Sequence, residues 1–110
     1  MPLIDIKTNK KLEAQPNADE LISIIAEILN KPVERIFVSW DDSANLAFGK
    51  GNPEPALLCT LHTIDRFNPD TNKKVDAAIL PWLEQSFDIK RERIVTRFGE
   101  IDHGFALMHF

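Results

Sequence analysis

The chain has 110 residues, with 13 Lys and Arg against 17 Asp and Glu and a formal net charge of −4. A mildly acidic chain disfavours nucleic acid and anionic membranes as partners, because both bind clustered cations. The length predicts one domain spanning residues 1–110, and 44% hydrophobic residues are enough for a packed core without disulfides or metal.

The first half of the chain predicts a strand, a helix and a second strand. The helix begins at Asn17, where Glu20 three residues further on forms a pattern like a capping box. It ends at Asn30, because the residue before the following proline, Lys31, is pushed out of the helical conformation. The other predicted elements are a strand at 3–8, a strand at 35–40, a turn at 41–43, a short return strand at 45–48 and a loop at 49–55.

The same order of elements returns in the second half. Asn68 followed by Pro69 is typical of a helix N-cap with proline at the first helical position. Pro81 falls inside this helix, where we expect a kink or a position at the surface. The other predicted elements are a buried strand at 56–64, a strand at 93–98, a bend at Gly99 and a short final strand at 104–110.

The two halves also share a short sequence. The triplet Glu-Arg-Ile follows each helix, at 34–36 and again 58 residues later at 92–94. A βαβ unit used twice, with right-handed crossovers, predicts an α/β fold with a four-stranded mixed sheet, two helices on one face and short extra strands. The other face would stay bare. We expect apolar residues such as Trp40 or Leu61 on it, and further copies of the chain to cover it.

The sequence lacks the residue patterns of most known kinds of catalytic site. The histidines His62, His103 and His109 have no partners at metal-ligand spacing, so no metal site is expected. Cys59 is the only cysteine and lies in an apolar stretch, which indicates a buried thiol rather than a reactive one. Apolar runs stay well below the about 20 residues that cross a bilayer, and charged residues interrupt the start of the chain. We therefore expect a leaderless cytoplasmic protein, with secretion by a route that needs no signal peptide left open.

The remaining candidate for chemistry is Pro2. Removal of Met1 would leave it with a free secondary amine. Burial of this amine beside a cation would disfavour its charged form and lower its pKa, and a neutral amine at pH 7 is a competent general base. If Met1 is retained, the nitrogen of Pro2 is an amide and cannot act as a base. Many chains start with Met-Pro, so this start alone is weak evidence.

Several short motifs provide the context that this start needs. They are Met-Pro at 1–2, Asn-Lys-Pro at 30–32, Leu-Ala-Phe-Gly at 46–49, Glu-Pro at 54–55, Leu-His-Thr-Ile at 61–64 and Glu-Arg-Ile at 92–94. In this order and spacing, over essentially the whole chain, they resemble the macrophage migration inhibitory factor and D-dopachrome tautomerase family. The resemblance implies a homotrimer of βαβ duplications. It also implies a cofactor-free keto–enol tautomerase of phenylpyruvate-like α-keto acids and dopachrome-type substrates.

The resemblance also assigns roles to individual residues. Pro2 matches the catalytic base, and Lys31 matches the lysine that contacts the substrate carboxylate and helps to lower the pKa of the proline. Ile64 matches an isoleucine whose backbone contacts the substrate. Val95 and Arg97 match positions in the wall that the neighbouring subunit supplies, so the active sites would lie at subunit interfaces. The resemblance implies no cofactor and no metal.

Three positions depart from the family pattern. The macrophage factor has tyrosine and asparagine where this chain has Val95 and Arg97. The phenol donor is lost, and the arginine could add a second carboxylate contact, so we expect an altered substrate preference. The Cys-x-x-C motif of the family is broken, with Ala56 at its first position and Cys59 at its second, so no dithiol redox activity is expected.

Two other functions stay open at this point. The chain could be a cytokine-like or other interaction protein that retains a vestigial tautomerase pocket. It could also be a hydratase or dehalogenase on the same fold, although the further charged residues that such chemistry needs are not evident. Binding of a partner by a variant without Pro2 would favour the first of these alternatives.

Overall fold

The structure, a computed structural model, describes residues 2–50, 54–65 and 67–109. Met1, part of the predicted loop at 49–55 and the last residue of the predicted strand at 104–110 lie outside the described residues. The strands are β1 (Leu3–Thr8), β2 (Phe37–Asp41), β3 (Leu57–Thr63) and β4 (Ile94–Glu100). The helices are α1 (Ala18–Leu29) and α2 (Pro69–Phe87), and 3₁₀ turns lie at Val33–Arg35 and Arg91–Arg93.

The four strands form one mixed sheet in the order β2-β1-β3-β4. β1 is parallel to β2 and antiparallel to β3, and β3 is parallel to β4. Each parallel pair is joined through a helix, as parallel strands require: α1 connects β1 to β2, and α2 connects β3 to β4. The predicted fold, a βαβ unit used twice in a four-stranded mixed sheet, is therefore confirmed.

The hydrophobic core lies between the sheet and the two helices, which both pack on one face. Alternate residues of a strand point to the same face, and in β1 and β3 one such set is buried. The strands contribute Ile4, Ile6, Thr8, Leu57, Cys59, Leu61 and Thr63 to the buried set, and the helices contribute Leu21, Ile25, Leu29, Val75, Ile79, Trp82, Leu83 and Phe87.

Neither described helix is long and apolar enough to cross a membrane.

The two helices begin in different ways. Asn68 has an extended backbone, and its Oδ1 accepts a hydrogen bond from the backbone N–H of Thr71 at 2.9 Å, which confirms the predicted N-cap. The side chain of Asn17 makes no bond to the backbone and donates instead to Oε1 of Glu20 at 3.1 Å. The capping box predicted there is therefore wrong. Pro81 lies on the exposed side of α2, which confirms the position at the surface that was one of the two expectations for it.

The internal repeat extends to the backbone dihedral angles. Asn30 and Asp88 end the two helices in the left-handed conformation, with φ of 52° and 53°. Pro32 and Lys90, which precede the two 3₁₀ turns, share an extended conformation with ψ of 143°. Both pairs are 58 residues apart, like the repeated triplets. The match supports an internal duplication.

The uncovered face of the sheet differs from the prediction. Leu61 pairs with Ile4 and Trp40 with Ile6, so both side chains point toward the helices, and Leu61 is buried. The assignment of these two residues to the bare face is therefore wrong. The other set of alternate residues forms that surface, here called the open face: Leu3, Asp5, Lys7, Phe37, Ser39, Leu58, Thr60, His62, Val95, Arg97 and Gly99.

Three further predictions about the strands are wrong. The described residues form no strand at 45–48 or at 104–109, because neither segment is paired with a described strand. The bonds that hold the backbone after β2 include one from the N–H of Ala44 to the carbonyl of Thr8 and one from Nη1 of Arg93 to the carbonyl of Phe48. Gly99 lies inside β4 rather than at a bend. A Cβ at this position would come within 2.7 Å of Cδ2 of His62, so a larger residue here would require the imidazole to shift.

Candidate functional site

Three of the predicted site residues lie at one end of the sheet. Pro2 immediately precedes β1, Lys31 precedes β2 beyond a 3₁₀ turn, and Ile64 immediately follows β3. Because β1 runs parallel to β2 and antiparallel to β3, the beginnings of β1 and β2 meet the end of β3. The topology therefore brings these three residues, which are far apart in the sequence, to the same edge.

Pro2 is buried and held by the sheet. Its carbonyl oxygen accepts a hydrogen bond from the N–H of Phe37 at 3.0 Å, one residue before the first pair of the β1–β2 ladder. The bond fixes the residue where the two parallel strands begin. A group at the start of the chain thus has a defined position, which an acid–base catalyst needs. The predicted removal of Met1 falls outside the described residues.

The end of α1 positions Lys31. Asn30 turns the chain out of the helix in the left-handed conformation, which asparagine adopts more readily than most residues. The N–H of Lys31 then donates to the carbonyl of Ala26 at 3.1 Å, and Pro32 continues in an extended conformation. The backbone of Lys31 is therefore fixed on one side by a helix end and on the other by proline.

Lys31 and Ile64 line the same pocket, which has a volume of about 270 Å³ and is here called the Lys31 pocket. Its charged lining residues are Lys31, Arg35 and Asp65. Two cations and one carboxylate favour an anionic group in the pocket, since opposite charges attract most where water is partly excluded. The rest of its lining consists of His103, Ala106, Leu107 and Met108.

Asp65 forms an ion pair with Lys31 that the sequence analysis did not predict. Its Oδ1 lies 3.5 Å from Nζ of Lys31. The lysine side chain is only 15% exposed, whereas the aspartate side chain is 59% exposed. The only sequence signal for this contact is an acidic residue directly after Ile64, next to the predicted substrate contact.

Val95 and Arg97 lie on β4, outside the Lys31 pocket. Both belong to the open face, where Val95 pairs with Leu58 and Arg97 with Thr60. Leu58 in turn pairs with Lys7, near the end of β1 that is opposite to Pro2. Val95 lines a second pocket, together with Leu46, Ala47, Phe48, Gly49, Ala56, Leu57 and Leu58. One chain therefore does not bring Val95 and Arg97 into the Lys31 pocket, and their role in a neighbouring subunit's site stays a prediction.

Cys59 takes no part in these surfaces. Its side chain is buried on the side of β3 that faces the helices, as the sequence indicates. Burial, together with smaller contributions from the nearby charges of Asp5 and Asp76, raises the pKa of the thiol to about 12. Among the described residues, no group of three or more His, Cys, Asp and Glu side chains could hold a metal ion.

Known proteins resemble this chain over nearly its full length. A sequence model of the family described as macrophage migration inhibitory factor (MIF) matches residues 1–106. D-dopachrome decarboxylase-B from Xenopus laevis is 28% identical over 105 residues, which cover 93% of this chain and 88% of that protein.

Two solved structures extend the similarity to the fold. Macrophage migration inhibitory factor from Oncomelania hupensis gives a TM-score of 0.88 at 29% identity, covering 98% of this chain and 79% of that one. A homologue from Prochlorococcus marinus gives 0.82 at 26% identity, covering 91% and 89%. The resemblance predicted from the sequence motifs is confirmed.

Proposed function

This chain belongs to the macrophage migration inhibitory factor family, and we propose that it is a cofactor-free keto–enol tautomerase of phenylpyruvate-like α-keto acids, with Pro2 as the general base. The observation that carries this proposal is the position of Pro2, Lys31 and Ile64 at one end of the sheet. The similarity to a D-dopachrome decarboxylase supports a small carboxylate as the substrate. Dopachrome-type substrates therefore belong to the same proposal.

In the proposed reaction, Lys31 binds the carboxylate and Pro2 moves one proton. The neutral secondary amine of Pro2 takes a proton from the carbon beside the keto group and delivers it to the keto oxygen, which gives the enol. Ketonisation follows the same path in reverse. The ammonium of Lys31 is mostly shielded from water, so it holds the carboxylate firmly and disfavours a second positive charge on Pro2.

The complete site is proposed to lie between subunits of a homotrimer. The open face supports this, because the described residues leave Phe37 59% exposed and Val95 42% exposed on it. A neighbouring copy that covers this face could bring its own Val95 and Arg97 to the Lys31 pocket. The guanidinium of Arg97 would then give the carboxylate a second, two-pronged contact.

Ketonisation of phenylpyruvate tests the proposal, with intact mass used to identify chains that start at Pro2. The Pro2→Ala variant leaves a primary amine in place of the secondary one, so we expect the rate to fall at least about 100-fold, the lower end of what a general base contributes. Pro81→Ala is the matched control, because Pro81 lies exposed on α2 and away from the site. Its activity should equal that of the wild type.

A second control uses the same wild-type chain with methionine retained. The nitrogen of Pro2 is then an amide and this form should be inactive. Full activity of the Pro2→Ala variant would remove Pro2 from the mechanism. No turnover by wild-type protein with a free Pro2 would instead favour an interaction protein that retains a vestigial pocket.

A further inference from the structure

We propose that Asp65 is a specificity-determining residue that competes with the substrate carboxylate for the ammonium of Lys31. The inference rests on the proposed function, because it concerns the same carboxylate contact. Oδ1 of Asp65 lies 3.5 Å from Nζ of Lys31. An incoming carboxylate must therefore share or replace this contact.

The unequal exposure of the two side chains determines which partner moves. The side chain of Lys31 is 15% exposed, so its ammonium is held in the pocket, whereas the side chain of Asp65 is 59% exposed and lies at the mouth of the pocket toward water. A substrate carboxylate can thus take the place of Asp65 without displacing Lys31. The competition weakens ligands that carry a carboxylate and leaves uncharged ligands of the same shape unaffected.

The charges around the pocket determine whether Asp65 strengthens or weakens the binding of an anion. Asp65 is the only carboxylate among the described lining residues, beside the cations of Lys31 and Arg35. Removing its charge while keeping its shape should therefore strengthen the attraction for any anion. Because the pair is partly exposed to water, the gain should be about two- to fivefold in affinity.

Binding of 3-phenylpropionate, a carboxylate that cannot tautomerise, tests the role of Asp65 directly. We expect Asp65→Asn to tighten its Kd about two- to fivefold at low ionic strength, as measured by NMR titration. The uncharged 3-phenylpropionamide should bind both proteins equally. The matched control is Asp88→Asn, which removes the same charge from a different surface ion pair, that with Lys10 at 2.7 Å. Its Kd for 3-phenylpropionate should stay at the wild-type value.

The Lys31→Met background shows whether the effect passes through Lys31. There, Asp65→Asn should tighten the Kd by a smaller factor than in the wild-type background, because the contact for which the two carboxylates compete is gone and only their mutual repulsion remains. With phenylpyruvate, Asp65→Asn should lower KM by the same factor and leave kcat unchanged, since uniform binding affects KM alone. A purely structural role for Asp65 would not divide the two constants in this way.

The proposal is overturned if Asp65→Asn binds 3-phenylpropionate as the wild type does or more weakly. It is also overturned if the same gain appears in the Lys31→Met background, or if no variant binds the probe. These outcomes are distinct from a failure of the proposed function, because the probe needs no turnover. An inactive wild type whose probe binding responds to Asp65→Asn would retain the role of Asp65 and remove that of Pro2.

Discussion

Cys59 illustrates at the residue scale how burial suppresses the chemistry of a side chain. Burial raises the pKa of its thiol from the ordinary value of 9.0 to about 12. At pH 8 about one thiol in ten thousand is then ionised, and the thiolate is the nucleophile. The neutral thiol stabilises the fold fully below about pH 9, and this contribution is lost as the pH rises toward 12.

We therefore expect native protein at pH 8 to resist alkylation by iodoacetamide. The same protein unfolded in guanidinium chloride should react completely, because the thiol then regains its ordinary pKa and its contact with water. Intact mass after a fixed reaction time measures both. Rapid modification of the native protein would contradict the buried position of Cys59.

The positions of the candidate site residues could be predicted from the sequence to different extents. Pro2, Lys31 and Ile64 each lie in a short motif that resembles a known family, so their grouping could be foreseen. Asp65 could not, because its contact with Lys31 joins residues 34 positions apart through side-chain conformations that no local pattern encodes. The sequence shows which residue types are present but not which of them form ion pairs.

At the scale of secondary-structure elements, both helices start at an asparagine, but the two asparagines have different backbone conformations. Asn68 is extended, with φ of −152° and ψ of 167°, and its side chain reaches the backbone of the first turn. Asn17 has φ of −83° and ψ of 89°, and its side chain bonds to Glu20 instead. Only Asn68 satisfies a backbone donor that the helix itself leaves without an acceptor.

We therefore expect Asn68→Ala to lower the free energy of unfolding by about 1 kcal/mol, the usual effect of removing a helix cap. Asn17→Ala is the matched control and should change it by less than about 0.5 kcal/mol, as is usual for surface positions. Urea unfolding monitored by circular dichroism measures both variants. Equal losses would mean that the hydrogen bond of Asn68 contributes nothing beyond its local surroundings.

The elements themselves were more predictable than the direction in which their side chains point. Each helix and each sheet strand could be predicted from periodicity and from the residues at its ends. The face to which a strand residue points could not be predicted. In β3 both alternating sets contain apolar residues, with 57, 59 and 61 in one set and 58 in the other, and a shift of one residue exchanges the faces. The prediction that Leu61 lies on the bare face is wrong for this reason.

At the scale of the whole molecule, the proposed trimer places the open face between copies of the chain. Val95 on this face is 42% exposed. If copies cover the open face, a charge at Val95 must be buried without a partner, which is unfavourable.

We expect wild-type protein to sediment as a trimer and Val95→Lys to dissociate it at micromolar concentration. The control Pro81→Lys places the same charge on the exposed side of α2, away from the open face, and should stay trimeric. Because the proposed site spans two copies, Val95→Lys should also lose turnover while retaining its circular dichroism spectrum. A trimeric Val95→Lys variant would show that the open face is not the interface, and a monomeric wild type would contradict the assembly itself.

The second half of the chain repeats the backbone around Lys31 without its charge. The residue 58 positions after Lys31 is the buried Ile89, although the preceding Asn30 and Asp88 share one conformation. If a gene duplication produced the two halves, it copied the scaffold, and later sequence changes made the two positions differ. One half now places a cation after its helix, and the other places a buried apolar side chain there.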